Sequence, residues 1–63
     1  MEARTPPLIL VVEDESDIRS LVCQDLRQEG YETTWAEDGL HAMEILREKV
    51  PSLILLDLKL PHL

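Results

Sequence analysis

The chain has 63 residues, 13 of them acidic and 6 basic, for a net charge of −7, with 44% apolar and 30% charged residues. That length allows one small domain, which buries only about 60% of the surface its unfolded chain exposes and leaves no room for a sizeable enzyme core, while the apolar fraction is too high for a disordered chain. The acidic balance argues against nucleic acid and anionic membranes as partners of this segment and favours cations and basic surfaces, and no apolar run approaches the roughly 18 residues of a membrane span.

Residues 1–7 contain no apolar core that could serve as a signal peptide, so a flexible lead and a cytoplasmic location are expected. Leu8, Ile9, Leu10, Val11 and Val12 then form an unbroken apolar run bounded by acids, which predicts a strand covered on both faces. Ile18, Leu21, Val22 and Leu26 recur at helical spacing, with Ser16 or a neighbouring acid placed to cap the start and Gly30 suited to a left-handed stop. The single cysteine, Cys23, falls in this helix and cannot form an internal disulfide; it reads as a small packed hydrophobe.

Residues 31–35, Tyr-Glu-Thr-Thr-Trp, are rich in β-formers and alternate partly in polarity, as an edge strand would, with Trp35 expected in packing. A second helix is predicted from an N-cap at Asp38, with Ala42, Met43, Ile45, Leu46 and Val50 on its apolar side, Glu44, Arg47, Glu48 and Lys49 on its polar side, and Pro51 closing it. His41 lies on this helix and His62 in the final loop; neither has a second His or Cys at ligand spacing, so both are expected at the surface. Leu53, Ile54, Leu55 and Leu56 form a third strand, immediately followed by Asp57.

The order β-α-β-α-β implies a parallel sheet, and ligands of such sheets bind outside the carboxyl ends of the strands. The first strand ends in Glu13 and Asp14 and the third in Asp57. If these two most apolar strands are adjacent, three carboxylates meet at one sheet edge, where they repel one another unless a cation sits among them. Carboxylates with few other ligands suit Mg²⁺, a hard octahedral ion that keeps part of its hydration shell and often bridges to phosphate. The acids of the EDESD segment also favour the start of the first helix through its dipole, but that effect does not require Asp57.

The combination ILVVEDE, AEDGLHAMEIL and LILLDLKLP, in this order, resembles the amino-terminal half of the receiver domain of bacterial response regulators. The resemblance covers residues 8–63 and implies a flavodoxin-like α/β fold, a doubly wound parallel sheet truncated to β-α-β-α-β with strand order 2-1-3. It implies Asp57 as phosphoacceptor, Glu13 and Asp14 as the acidic part of a Mg²⁺ site, Lys59 as donor of a backbone carbonyl to the metal, and Pro61 as the residue that turns the following loop. The implied partner is a sensor histidine kinase or phosphotransfer protein, and the domain is a signalling module that assists its own phosphoryl transfer, not an enzyme. Complete receivers have two further strands, one ending in a Ser or Thr and one in a Lys, and neither strand is in this sequence. A haloacid-dehalogenase-like phosphatase is disfavoured because the position of its second Asp is Lys59. An interaction or oligomerisation module is the alternative function, because strand order 2-1-3 leaves the third strand as an open edge that could pair with a second copy.

Overall fold

The computed structural model describes residues 5–56. It contains β1 (Leu8–Val12), α1 (Ser16–Gln28), β2 (Glu32–Ala36), α2 (Gly39–Leu46) and β3 (Leu53–Leu56). The three strands form one parallel sheet in the order β2-β1-β3, with Leu8 opposite Glu32 and Val12 opposite Ala36 on one side, and Ile9 opposite Leu53 and Val12 opposite Leu56 on the other. This is the expected α/β arrangement, with the most apolar strand at the centre.

Successive residues of a strand point to opposite faces, so an unbroken apolar strand needs cover on both. Ile9 and Val11 pack with Cys23, Val22 and Leu26 of α1, whereas Leu10 and Val12 pack with Ala36 of β2 and Ala42, Ile45 and Leu46 of α2. Cys23 is thus the small buried hydrophobe the sequence suggested. The buried stripe of α1 is narrower than its periodicity implied, since Ile18 and Leu21 are exposed.

Both helix ends are set by local chemistry. Gly30 adopts φ +98°, and the backbone N–H groups of Gly30 and Tyr31 donate to the carbonyls of Arg27 (3.0 Å) and Leu26 (3.1 Å). This is the paired bonding of a Schellman stop. It also explains why β2 begins at Glu32, one residue later than expected: the Tyr31 N–H already serves the helix end. At the start of α1 the N-cap is Glu15, whose side chain makes no capping bond, and Ser16 is already helical.

Asp38 caps α2 as predicted, its Oδ1 accepting from the His41 backbone N–H at 2.8 Å. The helix stops at Leu46, four positions short of Val50. Arg47 N–H and Glu48 N–H bond back three residues to Glu44 and Ile45, a tightened last turn. Val50 is 92% exposed, so among the described residues the apolar residue that would extend the stripe is not buried. Ser52 N–H then donates to the Leu8 carbonyl (2.8 Å) and brings the chain into β3.

Candidate functional site

Glu13 continues β1 beyond its last ladder residue, its N–H donating to the Ala36 carbonyl at 3.0 Å. The side chain is buried, 4% exposed, and its Oε2 accepts the Glu15 backbone N–H at 3.0 Å. A buried carboxylate requires such donors, because its desolvation would otherwise neutralise it. Asp14 follows in an exposed position at the start of the loop into α1. The Glu13 carbonyl in turn accepts from Nη1 of Arg19 at 3.0 Å.

On the other side of β1, Val12 pairs with Leu56, so the carboxyl ends of the central strand and β3 lie side by side. Val11, Val12, Glu13, Val22, Leu55 and Leu56 line a shallow, mostly apolar concavity at this end of the sheet. Asp57 follows Leu56 in the chain; it lies outside the described residues, as do Lys59, Pro61 and His62. Among the described residues, no three His, Cys, Asp or Glu side chains group closely enough to hold a metal by themselves. Glu13 and Asp14 nonetheless supply hard carboxylate oxygens, one in a buried and one in an exposed position, a donor chemistry that fits Mg²⁺ and would leave room for water in its shell.

A second set of residues converges behind this loop. The guanidinium of Arg19 lies over the Trp35 ring, 3.9 Å from its centroid, and His41 meets the same ring edge-on at 5.6 Å and 86°. The His41 Nδ1 accepts the Glu37 backbone N–H at 3.3 Å. Trp35 packs against Arg19 and His41, as expected of it, and is 45% exposed, so part of its ring stays open. His41 is half-buried and engaged on both its backbone and its ring, which its isolation from other metal ligands did not signal.

Residues 9–63 match the sequence pattern of the response regulator receiver domain. The chain belongs to this family. The receiver is 43% identical over 53 residues to sporulation initiation phosphotransferase F of Bacillus subtilis, an alignment covering 84% of this chain and 43% of that protein. It is 53% identical over 53 residues to the phosphate regulon transcriptional regulatory protein PhoB of Escherichia coli (84% of this chain, 23% of PhoB), and 39% identical over 62 residues to the transcriptional regulatory protein PdtaR of Mycobacterium tuberculosis (97% and 30%). The receiver chain therefore spans less than half the length of each of these relatives. Among its described residues no helix is long and apolar enough to cross a membrane.

Proposed function

We propose that this receiver accepts a phosphoryl group on Asp57 from a cytoplasmic sensor histidine kinase or phosphotransfer protein, with Glu13 and Asp14 holding Mg²⁺ beside it. The observation that carries the reading is the pairing of Val12 with Leu56: the residues that next follow these two in the chain are Glu13, with Asp14 after it, and Asp57. In this reading residues 8–63 are the receiver portion, residues 1–7 a lead, Lys59 offers its backbone carbonyl to the metal, and Pro61 shapes the loop.

A carboxylate approaching a phosphoryl group brings negative oxygens together, so the transfer depends on charge compensation and in-line positioning. Mg²⁺, when bound, supplies that compensation. Glu13 is fixed by its bonds to Glu15 and Ala36 and serves as a rigid ligand, while exposed Asp14 adjusts to the ion's water shell. A carboxylate oxygen of Asp57 forms the bond to phosphorus as the bond from phosphorus to the donor's imidazole nitrogen breaks. The test is incubation of the chain with acetyl phosphate and Mg²⁺ followed by intact mass measurement. One base-labile phosphoryl adduct is expected, absent without Mg²⁺ and absent from Asp57→Asn; an adduct that persists in that variant overturns the assignment.

One further observation favours a second role. All four residues of β3 are exposed and apolar, and β3 is one of the two outer strands among the described residues. That edge suits antiparallel pairing with a second copy, which would give one sheet of order 2-1-3-3-1-2, and sedimentation of the chain at several concentrations tests it.

A further inference from the structure

We infer that Arg19 and Trp35 form a positioning clasp for the acidic loop, setting the affinity of the Glu13 and Asp14 site for a divalent cation without touching the cation themselves. The inference rests on the metal-site reading proposed above and adds two residues to it.

Glu13 is the hinge between β1 and the loop that carries Asp14. Its N–H is tied to β2 through the Ala36 carbonyl and its side chain to Glu15, but its own carbonyl points toward α1 and is held there by Arg19, at 3.0 Å. The same guanidinium lies over the ring of Trp35, in the outer strand β2. A guanidinium is planar, so one group presents its face to the indole and an edge N–H to the carbonyl at the same time. Trp35 is itself braced from α2 by the edge-on ring of His41. The peptide plane of Glu13, which sets the direction in which Asp14 leaves the strand, is therefore anchored through Arg19 to β2 and α2. The half-open ring of Trp35 on an outer strand is the seat of the guanidinium.

Fixing that peptide plane preorganises the two carboxylates, and loss of an outer-shell partner of a metal ligand typically weakens metal binding by 10-fold or more. Because Arg19 holds a backbone carbonyl and not a ligating atom, an increase of about 5-fold in the Mg²⁺ dissociation constant is expected for Arg19→Gln. Arg19→Lys is expected to behave almost as poorly, since an ammonium cannot cover the ring and reach the carbonyl together. Trp35→Leu should match Arg19→Gln, and Trp35→Phe should recover part of the affinity because it keeps an aromatic face.

The experiment measures Mg²⁺ affinity by titration calorimetry on the 63-residue chain and these variants, with thermal unfolding in the absence of Mg²⁺ run beside it. The double variant Arg19→Gln, Trp35→Leu should bind Mg²⁺ no more weakly than either single one, because both remove the same clasp. If the variants lower the unfolding temperature but leave Mg²⁺ affinity at the parental value, or if the two substitutions multiply in their effects on affinity, the clasp is overturned and the stack is only packing. If the parent chain binds Mg²⁺ and Asp14→Asn abolishes binding while the Arg19 variants bind normally, the metal-site reading survives and only the clasp fails. If the parent chain itself binds no Mg²⁺, the metal-site reading fails, and the clasp with it.

Discussion

At the residue scale, Glu13 carries two tasks that mutation separates. Its carboxylate accepts the Glu15 N–H, and it is the proposed metal ligand. Glu13→Gln keeps an oxygen that can accept the N–H, so the fold should be retained while Mg²⁺ binding is lost; Glu13→Ala leaves that N–H without its acceptor and should lose about 1–2 kcal/mol of stability in chemical denaturation. If the two variants prove equally stable, the Glu15 bond contributes nothing. Asp14→Asn is expected to move in the opposite sense, weakening Mg²⁺ binding while raising metal-free stability, because it relieves like-charge crowding at the end of the sheet. The position of Glu13 and Asp14 at the carboxyl end of the central strand was legible in the sequence, since a run of apolar residues ending in acids marks where a buried strand emerges. Arg19 and Trp35 were not legible as a pair: they sit on different elements, and no spacing rule connects a helix residue to a ring across a β-α-β crossover.

At the element scale, the termini decide how much of each pattern becomes structure. Gly30 has open space where a Cβ would stand, so Gly30→Ala meets no neighbour, and its cost is the left-handed backbone alone. A loss of about 1–2 kcal/mol is expected in thermal or chemical unfolding; an unchanged midpoint would mean the Schellman stop rearranges freely. Asp38→Ala removes the one side-chain cap of α2 and should cost about 1 kcal/mol, a large share for a helix of only 8 residues. The strands, the stop of α1 and the start of α2 could be read from the chain because apolar runs, Gly30 and the Asp38 cap act locally. The early end of α2 could not: its apolar positions continue to Val50, yet Val50 is left 92% exposed, and which apolar residues find cover is a tertiary fact.

At the scale of the whole molecule, the sheet is covered unevenly. β1 is buried along most of its length, whereas Leu53, Ile54, Leu55 and Leu56 of β3 are 52%, 43%, 36% and 56% exposed. No Lys, Pro or charge interrupts this strand, so it lacks the usual protection of an edge against pairing with another chain. Two copies related by a two-fold axis beside β3 would close the edge by pairing its backbone N–H and C=O groups and would bring the exposed side chains of the two β3 strands next to each other, and closed symmetry ends the association at a dimer. Opposing this, each copy carries a net charge of −7, and that repulsion is felt over a Debye length of about 10 Å at 0.1 M salt. Association should therefore strengthen as salt is raised, the opposite of what an ion-paired interface would show. Sedimentation equilibrium of the 63-residue chain is expected to reveal a monomer and dimer in exchange, with the dimer fraction rising between low and high NaCl. Leu55→Lys places a charge in the middle of the pairing strand and should shift the chain to monomer at every salt concentration. A following strand in a longer chain would compete for the same edge and abolish the dimer in the same way. A folded species of monomer mass throughout the micromolar range, unchanged by salt, would show that the β3 edge is harmless and that the second role proposed for it is wrong.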